Sequence, residues 1–248
     1  MDKRTKFWQD NFAVFAKTKT RESDVNVYMP HSWERRRMVF SELVGTLAEN
    51  GIIGPGKFAA DIGFGSGMFS RMLSDTGTDT VSVDLCFEML WRAGDEDKNS
   101  TLMRVNADCQ HLPFANESFD FVAANGLITI LSDPIPFLTE IGRVLKPGGT
   151  VMIETLNSAW LGRIGFAFSG GRSLPSDVGV LHYLPGPLGL KLARCIGAPY
   201  AHTLPIVRLN DSLAKLEEPL QRLGRKIPLL VLPFSSAFIL LARKAELN

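Results

Sequence analysis

Between residues 57 and 155 short apolar runs alternate with stretches whose apolar positions recur at helical spacing. Residues 57–62, 80–83, 102–105, 119–124 and 150–155 read as strands, and 68–74, 87–93 and 134–145 as helices. A Pro147-Gly148-Gly149 turn stands before the last of these strands. Parallel neighbours need crossover helices, and these lie on the faces, so the alternation predicts a mostly parallel sheet covered on both sides. Ahead of it, Trp33, Phe40, Leu43, Val44 and Leu47 mark a helix over 32–50, with Ser32 as N-cap and Gly51 as stop. After it, residues 157–183 are rich in Gly, Ser and Pro and have no period, which predicts a loop or lid insertion. The rest reads as a helix at 188–196, a strand at 202–207, a helix at 212–223 bent at Pro219, and a strand at 237–244. The long apolar stretch 227–242 is interrupted by Pro228 and Pro233, too short and broken for a membrane span, and reads as core strands.

Composition adds mainly exclusions. A chain of 248 residues with 45% hydrophobic and 21% charged content fits one globular α/β domain with decorations. Its 27 basic and 26 acidic residues nearly cancel, so no nucleic-acid footprint is present. The N-terminal stretch has no continuous apolar core or small-residue cleavage site, and the expectation is a cytoplasmic protein. Cys86, Cys109 and Cys195 form no CxxC pair, which argues against a zinc site or a disulfide framework; no metal is expected.

The candidate chemistry starts at DIGFGSG, Asp61 to Gly67. A dinucleotide fingerprint would need a glycine where Met68 or Ser70 stands, and a phosphate-cradling loop would need a lysine where none occurs. What remains is an acid at a strand end, glycines that admit a ligand close to the backbone, and a helix opening near Gly67. A carboxylate there suits an ammonium group better than a phosphate, by Coulomb's law. Asp84, at the end of the next strand, can accept both hydroxyls of a ribose. An amino-acid head, a ribose and a purine together describe S-adenosylmethionine.

With these residues the chain resembles the class I S-adenosylmethionine-dependent methyltransferases, and within them the branch of ubiquinone and menaquinone biosynthesis. DIGFGSG resembles the family's D-x-G-x-G-x-G motif, and VSVDLCFEML its second strand with the ribose acid. NADCQHLPFANESFDFV resembles the adenine-side segment, and EIGRVLKPGGTVMIET the helix, turn and fifth strand. The resemblance covers residues 58–155 well and the C-terminal strands weakly. It implies a Rossmann-like, doubly wound, mostly parallel seven-stranded sheet with an antiparallel last strand. A single domain would comprise a helical cap (1–50), a cofactor-binding core (57–155), a lid (156–185) and C-terminal helices and strands (186–248).

By matched position the resemblance implies that Asp61 holds the methionine amino group, in part through water. Gly63, Phe64 and Gly65 would meet the amino-acid moiety, and Gly67 would let the helix pack close. Asp84 would bind the ribose, Leu85 an adenine face, Asp108 the adenine amino group and the Cys109 amide a ring nitrogen, with Asn125 beside the sulfonium. Phe64 and Ser66 stand where the family has Cys and Thr, and Thr129-Ile130 where it has His-His, so a role of that pair does not carry over. His182, in a loop resembling one over the substrate side, is the candidate base.

Plainer readings stand beside these. Asp84 can cap the following helix, and Asp108 can be a turn acid. His111 reads as a solvated histidine, and His31 and His202 are no stronger. One of Arg35, Arg36 and Arg37 could face the cofactor carboxylate or an anionic substrate, the rest being solvated. Phe12, Phe15, Trp160, Phe166 and Phe168 either pack or line an apolar acceptor pocket. The function implied is methyl transfer to a small, apolar acceptor that is quinone-like, a lipid or a secondary metabolite. Peripheral membrane contact and oligomeric state stay open. The alternatives are a protein that binds the cofactor or its demethylated product without turnover, and an NAD-dependent oxidoreductase.

Overall fold

The computed structural model describes residues 3–18, 33–96, 102–157, 184–207 and 216–246. Seven strands form one sheet in the order β3-β2-β1-β4-β5-β7-β6. They are β1 (Phe58–Ile62), β2 (Asp79–Asp84), β3 (Met103–Asn106), β4 (Phe119–Asn125), β5 (Leu145–Leu156), β6 (Ala201–Val207) and β7 (Ser235–Arg243). Strands β1 to β5 pair in parallel, and β7 runs antiparallel to both β5 and β6. The expected doubly wound architecture with an antiparallel last strand is therefore present.

Alternation along the strands feeds two cores. Ala60, Ile62, Val122, Val151 and Ile153 pack with α5 (Ile135–Val144) and α6 (Pro185–Ile196). Ala59, Phe121, Ala123 and Met152, one position out of phase, pack with α2 (Trp33–Glu49) and α3 (Met68–Asp75). Opposite side-chain directions at successive residues account for this division. Helix α1 (Lys3–Thr18) lies against α4 (Phe87–Glu96), its Phe12, Ala13 and Ala16 packing on Cys86 and Met89. Hydrogen bonds from Gln9 Nε2 to the Leu85 carbonyl and from Arg4 Nη2 to the Thr129 carbonyl tie α1 across the ends of the central strands. No helix among the described residues is long and apolar enough to cross a membrane.

Several sequence expectations need correction. Pro147-Gly148-Gly149 is not a turn ahead of β5 but an irregularity inside it: pairing with β4 jumps from Phe119↔Leu145 to Phe121↔Thr150. The stretch 227–242 is not all strand. Residues Pro228–Val231 form a short helix (α8) and Leu232–Phe234 a 3-10 turn before β7 begins. Helix α7 spans Glu217–Lys226, so Pro219 falls in its first turn, where a missing N–H costs nothing, and is not the site of a bend. Residues 208–215, and 158–183 with the expected lid, His182, Trp160, Phe166 and Phe168, lie outside the described residues, as does His31.

Asn157, expected to open the lid, belongs to the core. It is 1% exposed, and its Nδ2 donates to the carbonyls of Leu232 and Ser235, both at 2.8 Å. The end of β5 is thereby fastened to the start of β7. Asn157→Ala removes a donor from each carbonyl, Leu232 keeping the Ser235 N–H, and should cost about 1–3 kcal/mol in denaturant unfolding. A loss below about 0.5 kcal/mol would mean that the fastening is dispensable.

Candidate functional site

The chain leaves β1 for β2 on one side and enters β4 on the other, so a crevice opens beyond the carboxyl ends of β1 and β4. The loop after β1 enters it with Gly63, Gly65 and Gly67 at φ 81°, 54° and 79°, values that side chains other than glycine's rarely adopt. The N–H groups of Gly63 and Phe64 both donate to the Val83 carbonyl, at 2.8 and 3.1 Å, which holds the loop against β2. A Cβ at Gly63 would lie 3.0 Å from Leu127 Cβ, and one at Gly67 would lie 2.4 Å from the Phe64 ring. Gly67 thus makes room for Phe64 and does not itself border the crevice. Asp61, Gly63, Phe64, Gly65, Asp84, Leu85, Asp108, Cys109 and Asn125 all border it.

Two carboxylates face this space, Asp61 buried and Asp84 half-buried. Asp61 is 1% exposed, and its Oδ2 accepts from Ser70 Oγ at 2.6 Å, which in turn accepts from Ser82 Oγ at 2.8 Å. Burial pushes the Asp61 carboxyl up to about 7; the Ser70 hydroxyl opposes this, Asp84 adds to it, and Arg36 offsets part of it. Asp84 Oδ1 accepts from the Cys86 N–H at 2.8 Å and Oδ2 from the Gly65 N–H at 3.1 Å. Burial raises its pKa as well, against the lowering by those backbone donors. Neither donor belongs to α4, which begins at Phe87, so Asp84 braces the strand end and the glycine loop and does not cap that helix. Each oxygen nevertheless keeps a second acceptor site for a ligand.

Asp108 likewise makes the turn expected of it, Oδ1 accepting from the Gln110 N–H at 2.9 Å, while bordering the crevice. Burial pushes the Cys86 thiol up to about 11 and the Cys109 thiol higher still, so neither is a thiolate near neutral pH. Asn125, at the end of β4, has Nδ2 and Oδ1 both buried without a hydrogen-bond partner. Such a group asks for a ligand, because an unmade buried hydrogen bond is costly.

The sequence did not single out Glu154. It is 4% exposed near the end of β5, directly across the ladder from Asn125, and its Oε2 accepts from Arg36 Nη2 at 3.0 Å. The Arg36 guanidinium also lies 5.0 Å from the centre of the Phe40 ring. Of the basic run, Arg36 faces the crevice, whereas Arg37 pairs with Glu34 on the surface. The signal for Glu154 was a lone charge in the apolar run TVMIETL. Trp8, Phe12, Trp33, Phe40, Leu127 and Ile130 supply an apolar wall. Phe12 therefore both packs and lines. His111, its side chain 83% exposed, and His202, exposed beside Tyr200, lie away from the crevice. No cluster of His, Cys, Asp or Glu among the described residues could hold a metal ion.

These features fit S-adenosylmethionine. Two carboxylates held in low dielectric are relieved by an ammonium and by donor hydroxyls, the glycines leave the backbone open, and the Asn125 amide lacks partners.

Comparison with known proteins agrees. The family model described as a methyltransferase domain matches residues 60–153. A malonyl-[acyl-carrier protein] O-methyltransferase of Hamiltonella defensa is 29% identical over 146 residues, 59% of this chain and 56% of that protein. The chain spans between 20% and 56% of the length of the first curated relatives it matches. An S-adenosylmethionine-dependent methyltransferase from Aquifex aeolicus shares the fold at a TM-score of 0.57 and 17% identity, covering 92% of this chain and 100% of that one. The [4+2]-cyclase SpnF does so at 0.55 and 18%, covering 83% and 81%. Residues 60–153 thus match the methyltransferase-domain family, and the chain shares its fold with S-adenosylmethionine-dependent methyltransferases.

Proposed function

We propose that this protein transfers a methyl group from S-adenosylmethionine to a small, largely apolar acceptor that is quinone-like, a lipid or a secondary metabolite. The observation that carries the reading is one crevice bordered both by two carboxylates, Asp61 and Asp84, and by aromatic and aliphatic side chains. The cofactor supplies a methyl group already activated on a sulfonium. Asp61 holds its amino group, Gly63, Phe64 and Gly65 border its amino-acid moiety, and Asp84 takes the ribose. Leu85 lies against an adenine face, and Asp108 and the Cys109 N–H read the adenine edge. Asn125 supplies the polar contact beside the reacting centre, and Arg36, steadied by Glu154, offers a cation to a carboxylate of either ligand. Trp8, Phe12 and Trp33 exclude water and receive the acceptor. His182 remains the candidate base for an acceptor that must lose a proton.

The runner-up is a protein that binds the cofactor without methylating. The fold shared with a [4+2]-cyclase favours it, since one scaffold serves chemistries other than methyl transfer. Calorimetry with S-adenosylmethionine, its demethylated product and NAD tests both readings. The first two ligands should bind and NAD should not; preference for NAD sinks the cofactor assignment. Tight cofactor binding without methyl transfer to any of a broad acceptor panel would move the conclusion to the runner-up.

A further inference from the structure

The segment 108–118 carries Asp108 and Cys109, yet it is neither helix nor strand. What holds it stands on α5. Glu140 Oε2 accepts from the Leu112 N–H at 2.7 Å. Arg143 donates from Nη2 to the Leu112 carbonyl at 2.9 Å, and from Nη1 to the Phe114 carbonyl at 2.7 Å and to Asn116 Oδ1 at 3.1 Å. The two side chains also fix each other, Nε to Oε1 and Nη2 to Oε2, both at 2.7 Å. Such forked, charge-assisted bonds set direction as well as distance. The Glu140 carboxyl lies below the usual range, chiefly through the hydrogen bond from Arg143.

A charge pair one helical turn apart that served only its own helix would have no need of the loop. Here the guanidinium reaches backbone and side-chain oxygens 27 to 31 residues earlier in the chain. The far end of the loop is tied separately, by the N–H groups of Glu117 and Ser118 to the carbonyls of Arg143 and Val144. The near end has the Asp108 turn and the exposed His111, 3.6 Å from Asp108 Oδ2. Between them, the Leu112 and Phe114 backbone depends on Glu140 and Arg143.

We propose that Glu140 and Arg143 form a positioning unit for the purine end of the crevice, setting the loop so that the Asp108 carboxylate and the Cys109 N–H together present one edge to the adenine. This rests on the cofactor reading above. It predicts an effect on base discrimination and not only on stability, because the amino group and ring nitrogen of adenine need an acceptor and a donor at fixed spacing. A hypoxanthine ring reverses that pattern, so the wild-type protein should prefer S-adenosylhomocysteine over S-inosylhomocysteine.

The test is calorimetry of both ligands with the full chain, Glu140→Gln and Arg143→Gln, together with amide hydrogen exchange of the ligand-free proteins. Either variant should bind S-adenosylhomocysteine about tenfold more weakly, with the adenine preference cut about fivefold, as expected for lost charge-assisted hydrogen bonds. Amides of 109–114 should exchange faster while those of β4 do not. Glu140→Gln keeps size and shape, so it reports even if Arg143→Gln fails to fold. Equal weakening for both ligands, or unchanged exchange in the loop, overturns the positioning role. Failure of the wild-type protein to bind either ligand overturns the cofactor reading itself, and the loop exchange then tells whether the mechanical part stands.

Discussion

Asp61→Asn should make the ligand-free protein more stable near neutral pH and at the same time weaken cofactor binding about ten- to hundredfold. The sign follows from the buried carboxyl, whose pKa stands at about 7 in the folded chain against an ordinary 3.8. Between those values the native state keeps a proton that the unfolded state has lost. Stability contributed by this group therefore falls as pH rises from about 4 to 7, and the cost is complete above that. Asparagine can still accept from Ser70 but carries no charge to desolvate. Urea unfolding of the variant should show a gain on the order of a few kcal/mol near pH 7.5, shrinking towards zero near pH 4. Wild-type affinity for S-adenosylhomocysteine should tighten with pH between about 5 and 7 and then level off, because the ammonium binds the ionised form. A variant less stable than wild type at neutral pH, with unchanged affinity, would show that Asp61 serves packing alone.

That opposition between stability and binding explains which parts of the site could be read from the chain. Asp61 and Asp84 were legible because a glycine loop, a strand end and an acid are neighbours in sequence, and the physics of close backbone approach acts over a few residues. Strands β1 to β5 were legible for the same reason, each being an apolar run that ends in polar residues. Glu154 and its pairing with Arg36 were not, since the two partners lie 118 positions apart and an ion pair made by tertiary packing leaves no local pattern. The short helix at Pro228–Val231 was misread as strand because a brief apolar run has no period long enough to decide between the two. The Pro147-Gly148-Gly149 segment is a turn by composition, and the pairing of Leu145 and Thr150 with β4 on either side of it draws it into β5. Asp108 shows a further limit. Turn acid and ligand acid were weighed as rivals, yet one oxygen serves the turn while the residue borders the crevice.

Asp84 combines roles in the same way, and this changes what its removal should do. Its two oxygens already receive the Cys86 and Gly65 N–H groups, so Asp84→Ala takes away a brace of the glycine loop along with the ribose acceptor. Affinity for S-adenosylhomocysteine should fall by about 1–3 kcal/mol for the ribose bonds, with a further loss where the freed loop must be ordered on binding. The two parts separate with a ligand that lacks the 2′ and 3′ hydroxyls. The wild-type protein should lose affinity for that analogue, and Asp84→Ala should bind it about as well as the parent ligand, because the loop term is common to both. A cycle over the two proteins and two ligands then gives a coupling energy of about 1–2 kcal/mol if carboxylate and hydroxyls touch. Strict additivity would leave Asp84 as a loop brace only, and the ribose would have to be held by another group in the crevice.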